Sequence, residues 1–318
     1  MAESRNQPTR IAIVGAGNVG STFAYALMLS GLSSEIVMID NNLSKAEGEV
    51  MDLNHSVPMT SPTQIWVGDF KDCAGAAVTV VTAGSAQKPG ETRLDLVQRN
   101  ANIFKQIIPE VARHNPEGII LIATNPVDVL TYAAIKMSGL SSHRVIGSGT
   151  ILDTARFRYL LSQHLGVDPR SVHAFIIGEH GDSEVPVWSL ANVAGMHLPD
   201  FCRLNGRGCG EEDRERIFAQ TRDAAYRIIE RKGSTYFAIG ASLLRLVEAI
   251  LRNQNTIFSI SSYIKDYYGI SDLCLSIPSI VDRGGVEKVI MLDLNQREID
   301  GLRESAEVLK NIISQLKL

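Results

Sequence analysis

The stretch from Arg10 to Asp40 reads RIAIVGAGNVGSTFAYALMLSGLSSEIVMID. An apolar run ends in glycines, a helical pattern follows at once, and a second apolar run closes on an acidic residue. The pattern predicts a strand over RIAIVGAG, a helix over STFAYALMLSG and a second strand over EIVMID. The loop GAGNVG carries the G-x-G-x-x-G spacing, and Asp40 lies twenty residues beyond Gly20. Glycine-rich turns are common, so the loop alone says little; the strand before it, the helix after it and the acid beyond make it specific. Gly15 permits the tight turn, Gly17 lets backbone approach a pyrophosphate, and Gly20 allows the helix to pack closely, with free N–H groups at the helix start facing the anion. Asp40 would accept hydrogen bonds from a ribose diol and repel an additional phosphate, so NAD is expected rather than NADP. The alternative is a structural turn with a strand-end aspartate.

Outward from this unit the texture repeats. TQIWVGD, AAVTVVTAG, GIILIATNP and RVIGSG are short and rich in apolar residues, and helix-length segments such as RLDLVQRNANIFKQII intervene. Runs that are apolar throughout suit strands buried on both faces of a parallel sheet. The fold class is therefore α/β, with a doubly wound parallel sheet of the Rossmann type. After about Ser148 longer amphipathic helices take over. In STYFAIGASLLRLVEAILRN the positions Tyr236, Ile239, Leu243, Val247 and Ile250 recur at helical spacing, which reads as core or subunit interface. EEDRERIFAQTRDAAYRIIERKG has a charged face that reads as solvated surface.

At 318 residues the chain exceeds the roughly 250–300 at which one core usually divides, so two domains are expected, 1–147 and 148–318. A 45% apolar and 21% charged composition is that of a soluble globular protein. No apolar run is long enough for a bilayer, and MAESRNQPTR is polar, so a cytoplasmic address without membrane partners is expected. A net charge of −4 without a Lys/Arg block speaks against nucleic acid. Cys73, Cys202, Cys209 and Cys274 are scattered without a CxxC pair, so they read as reduced, structural thiols with no zinc site or disulfide framework.

A nicotinamide cofactor requires a hydride partner and a proton donor. The candidates His55, His114, His143, His164, His173, His180 and His197 are each, taken singly, more often surface or satisfied core residues than catalysts. Context selects among them. IIGEHGDSEVP, LDTARFRYL, ATNPVD, SAQKPGETRLDLVQRN and GAGNVG, in the same order, resemble the L-lactate dehydrogenases of the lactate/malate dehydrogenase superfamily, from about Arg10 to the C-terminus.

The resemblance implies that 148–318 is a mixed α+β substrate domain and that His180 is the acid/base, with Asp153 accepting its other ring hydrogen. A carboxylate there favours the imidazolium and fixes which nitrogen faces the substrate. Arg156 resembles the carboxylate clamp, for which a planar guanidinium suits two parallel hydrogen bonds. Arg93 sits in a stretch resembling the mobile active-site loop, whose closure would set it against the carbonyl and expel water. Asn125 and Thr235 resemble further substrate or cofactor contacts, although each equally suits a helix cap. Asn18, Val19, Lys45 and Gly84 complete the implied cofactor contacts. No metal is expected, because Arg93 and His180 supply positive charge to the carbonyl.

Within the superfamily the position of Gln87 is arginine for a second carboxylate, as in malate, and glutamine for a methyl group. Burying a carboxylate without a cation is costly, so Gln87 points to pyruvate and L-lactate, with Lys88 and bulkier α-keto acids as reservations. Arg158 and His173 match positions where bacterial members bind fructose bisphosphate between subunits, which also implies a homotetramer; the alternative is a surface arginine and an unrelated histidine. A malate dehydrogenase and a non-catalytic dinucleotide-binding protein are the rival readings.

Overall fold

A computed structural model describes residues 9–85, 90 and 92–317. Its first half runs β1 (Arg10–Val14), α1 (Asn18–Ser30), β2 (Glu35–Ile39), α2 (Leu43–Ser56), β3 (Gln64–Val67), β4 (Ala76–Val81), α3 (Arg93–His114), β5 (Ile119–Ile122), α4 (Val127–Ser138) and β6 (Val145–Gly147). These six strands are parallel, in the order β6-β5-β4-β1-β2-β3. The chain reverses direction across the sheet between β1 and β4, and the glycine loop opens at that switch point, where ligands of doubly wound sheets collect.

Both faces of the sheet are buried, which is why its strands do not alternate in polarity. Ile11 and Ile13 of β1 face one way, against Phe23, Leu27 and Met28 of α1 and Leu243 and Val247 further along. Ala12 and Val14 face the other, against Phe104, Ile108 and Val111 of α3. Each large side chain buried in this way contributes about 1.5–3 kcal/mol.

The second half comprises α5 (Ile151–Leu165), β7 (Val172–His173), β8 (Ile176–Ile177), β9 (Val185–Pro186), β10 (Asn192–Val193), β11 (Met196–His197), α6 (Leu198–Leu204), α7 (Glu211–Arg222), α8 (Ala224–Lys232), α9 (Phe237–Leu251), β12 (Thr256–Ile264), β13 (Leu273–Asp282), β14 (Gly285–Val289) and α10 (Gln296–Ser314). The charged stretch after Gly210 forms two helices, α7 and α8, that meet at Asp223. β12 lies antiparallel to β6, with Ser261 opposite Gly147, and β13 and β14 continue outward, so the sheet is nine-stranded among the described residues. The second half thus grows from the edge of the first half's sheet.

One expectation about the cysteines is corrected. Cys202 and Cys209 form a disulfide, with Cα atoms 6.1 Å apart. The turn after α6 folds back on itself, where the Arg207 N–H donates to the Cys202 carbonyl, and so joins two cysteines whose spacing gives no signal. Cys73 and Cys274 are buried thiols, as expected. Among the described residues no helix is long and apolar enough to cross a membrane.

Candidate active site

The glycine loop is held by backbone geometry. Gly15 has φ of 115°, a left-handed conformation that disfavours any side chain, and a Cβ there would stand 2.5 Å from the Ala83 nitrogen. A Cβ on Gly20 would stand 2.0 Å from the Gly15 carbonyl oxygen, so α1 packs directly on the loop. Gly17 differs: a Cβ there would meet nothing within 4 Å. Its open side is the space through which a pyrophosphate could approach the start of α1.

Asp40, at the end of β2, accepts from the Ala16 N–H at 2.6 Å and from the Asn42 N–H at 2.8 Å. The carboxylate therefore ties the glycine loop to the next strand as well as presenting charge. Gly15, Gly17, Asp40, Lys45 and Gly84 line one cleft of about 630 Å³. Val19 and Gly20 turn inward, against the core and the loop. Asn18 reaches across to Ser234, its Nδ2 donating to Oγ at 3.0 Å, which ties the cofactor loop to the residue before Thr235. The cleft fits a dinucleotide: the start of α1 and the Asp40 carboxylate border it, and glycine lies where a side chain would obstruct.

The second cluster is made of charged side chains from separate segments. Asp153 and Arg156 lie one turn apart on α5, and His180 follows β8. Asp153 is buried; its Oδ2 meets His180 Nδ1 at 2.5 Å and its Oδ1 accepts from Arg156 Nη1 at 2.8 Å. With Nδ1 engaged, Nε2 is the ring nitrogen left to meet a substrate, and the His180 side chain is 22% exposed. Burial works against the charge on His180, but the Asp153 carboxylate outweighs it and the pKa rises to about 9. Burial likewise works against the charge of Asp153, and His180 outweighs it, holding that carboxyl below its usual value. The buried carboxylate thus favours the protonated form of the imidazole.

Arg156 and Thr235 line a cavity of about 610 Å³ with Tyr236 and Lys232. Asn125 is exposed beyond β5, and its carbonyl accepts from Asn100 Nδ2 at 2.9 Å. Gln87, with Lys88, lies outside the described residues, as does the side chain of Arg93. The ends of that segment are fixed on one helix. The Ser85 N–H donates to Asn100 Oδ1 at 2.9 Å, and Thr92 and Asp95 form a reciprocal capping box at the start of α3.

Arg158 and His173 lie on neighbouring elements, α5 and β7. Arg158 donates from Nε to the Ala174 carbonyl at 2.8 Å, stacks over Phe175, and lines a cavity of about 440 Å³ with Arg170 and Arg245. His173 is exposed on β7 and does not line that cavity. Two site residues were not singled out in the sequence. Asp128 accepts the His180 N–H at 2.7 Å, and Oε1 of buried Glu184 has no hydrogen-bond partner among the described residues. Burial, and then the Asp153 charge, push Glu184 up to about 8. Asp128 stands inside ATNPVD itself, three residues after Asn125, so a signal for it was present. Among the described residues no cluster suits a metal ion.

A dinucleotide cleft on a doubly wound sheet, joined to a buried carboxylate that holds a charged histidine and an arginine, defines a two-domain NAD-dependent dehydrogenase. Residues 9–147 match the lactate/malate dehydrogenase NAD-binding domain and 150–317 the α/β C-terminal domain of the same family. The chain belongs to the lactate/malate dehydrogenase family. It is 53% identical to the L-lactate dehydrogenase of Acetivibrio thermocellus over 310 residues, which cover 97% of this chain and 98% of that one. It is 50% identical to the L-lactate dehydrogenase of Moorella thermoacetica, covering 98% of each. The crystal structure of the minor L-lactate dehydrogenase from Enterococcus mundtii in its ligand-bound form superposes with a TM-score of 0.95 at 42% identity, covering 98% of this chain and 99% of that one.

Proposed function

We propose that the protein is an L-lactate dehydrogenase that reversibly reduces pyruvate, with His180 as acid/base. The observation that carries the mechanism is the Asp153–His180 contact, with Arg156 on the other oxygen of the same carboxylate. The cofactor, when bound as NADH, supplies the hydride. Arg156 pairs with the substrate carboxylate and orients it, while His180 holds a proton at Nε2 for the developing alkoxide. In the reverse direction neutral His180 takes that proton back. Arg93 polarises the carbonyl, Asn125 and Thr235 contact substrate or cofactor, and Asn18, Val19 and Lys45 complete the cofactor contacts, all by family resemblance. Gln87, by the same resemblance, favours a methyl group over a second carboxylate.

We extend the proposal to regulation: Arg158 and His173 take fructose bisphosphate in a homotetramer, with the cation-lined cavity of Arg158, Arg170 and Arg245 as support on the Arg158 side. NADH oxidation with pyruvate and with oxaloacetate, each with and without fructose bisphosphate, tests both parts. A large preference for pyruvate is expected, and a preference for oxaloacetate would reject the reading of Gln87. The effector should lower the pyruvate requirement; an unchanged saturation curve would count against the effector site.

A further inference from the structure

The loop that carries His180 is fastened from three directions. Gly178 exchanges backbone hydrogen bonds with Ser276 of β13 at 2.9 and 3.0 Å. The Glu179 N–H donates to Ser305 Oγ of α10 at 2.7 Å. The His180 N–H donates to Asp128 Oδ2 at 2.7 Å. The first two partners are neutral and belong to the C-terminal domain. The third is a carboxylate, 2% exposed, in the first turn of α4 in the NAD-binding domain.

Asp128 also accepts from Ser276 Oγ at 3.1 Å through its other oxygen. One buried group therefore holds the backbone of His180 and the strand residue to which Gly178 is paired. Burying a carboxylate is costly, and the cost is partly offset here by the two hydrogen bonds and the start of α4. A neutral oxygen would suffice to accept one amide; the charge also faces the imidazole, where it favours the protonated ring.

We propose that Asp128 is a positioning residue for the reaction: it fixes the backbone from which His180 reaches Asp153, and fixes it against the helix of the cofactor domain. The proposal rests on His180 being the acid/base. The groups facing Asp128 are Glu179 and His180 of the loop, Ser261 of β12, and Cys274 and Ser276 of β13. Burial pushes the Asp128 carboxyl up to about 6, against the bonds it accepts. Above that pH both oxygens accept. Below it one oxygen carries a proton, and the hold on His180 or on Ser276 is weakened. His180 itself stays protonated throughout that range, so pyruvate reduction should show an acid limb near pH 6 that His180 does not cause.

The test is Asp128→Asn, of nearly the same size, in the full-length protein. The variant should lose about tenfold or more in kcat for pyruvate reduction, with KM and the NADH Kd within about threefold, since small misplacements of a reacting group are costly. The acid limb should vanish with it. In a His180→Asn background the same change should remove no more than about a further twofold, because Asp128 acts through His180. An acid limb that persists in Asp128→Asn, or an equal loss in both backgrounds, overturns the proposal. If His180→Asn alone leaves turnover intact, the acid/base reading fails instead, whatever Asp128 does. Should Asp128→Asn not fold, Ser276→Ala provides the second measurement. It removes a bond to the charged carboxylate, so the acid limb should move to higher pH, and an unmoved limb rejects the role.

Discussion

Around Gly15, Gly17 and Gly20 the site is made of backbone, whereas around Asp153, Arg156 and His180 it is made of side-chain charge. In the first region what matters is the absence of atoms: a Cβ would strike the Gly15 carbonyl or obstruct the cleft. In the second, two basic groups from two segments share one carboxylate, and what matters is where the protons sit. The glycine region should therefore respond to added volume, and the histidine region to lost charge at constant volume.

The largest effect should come from Gly20→Ala. Its Cβ would stand 2.0 Å from backbone oxygen, so α1 must shift. Stability should fall by about 3 kcal/mol and NADH binding should be lost, as read by thermal unfolding and cofactor fluorescence. Gly17→Ala is the matched control at the other end of the scale.

Next in size is Asp153→Asn, which keeps shape and removes charge. Turnover should fall about a hundredfold or more with NADH binding little changed. The pH profile carries the sign. Reduction needs protonated His180, so in the parent it should hold up toward pH 9 and fall above it, while lactate oxidation, which needs the neutral ring, should rise through the same range. In Asp153→Asn both limbs should move to lower pH, since the group that raises the imidazole pKa is gone. Unmoved limbs would mean that another group titrates.

Arg156→Lys should be smaller, about a tenfold or larger rise in KM for pyruvate, because an ammonium cannot reproduce the two-pronged hold on a carboxylate. A rise confined to kcat would place Arg156 elsewhere in the reaction. Gly17→Ala should be the mildest in stability, within about 0.5 kcal/mol, since its Cβ meets nothing within 4 Å. Its NADH affinity should nevertheless weaken. Equal stability losses in Gly17→Ala and Gly20→Ala would erase the distinction between open and packed glycines.

The same contrast explains what the sequence made legible. The six parallel strands could be read because each is a continuous apolar run closed by glycine or a polar residue, and Asp40 because it stands at a fixed distance from Gly20. β12 and β13 could not. FSISSYI and LCLSIPSIVD place Ser259, Ser261, Ser262, Ser276 and Ser279 in the buried interior, so neither alternation nor an unbroken apolar run marks them. His180 and Asp153 are 27 residues apart, and nothing in their spacing brings them together; only resemblance to a family paired them, and the fold sets them 2.5 Å apart. Asp128 is not legible as a site residue in its motif, because what it does is accept a hydrogen bond from backbone 52 residues away. The Cys202–Cys209 disulfide escaped for the same reason: it depends on a turn, and the spacing belongs to no known pattern.

The most direct measurement is made on His180→Asn: NADH binding by fluorescence titration beside the rate of pyruvate reduction. NADH affinity should stay within a few-fold of the parent while turnover falls by roughly a hundredfold or more. Turnover that survives the substitution would contradict the acid/base role of His180, and the proton would have to come from another group.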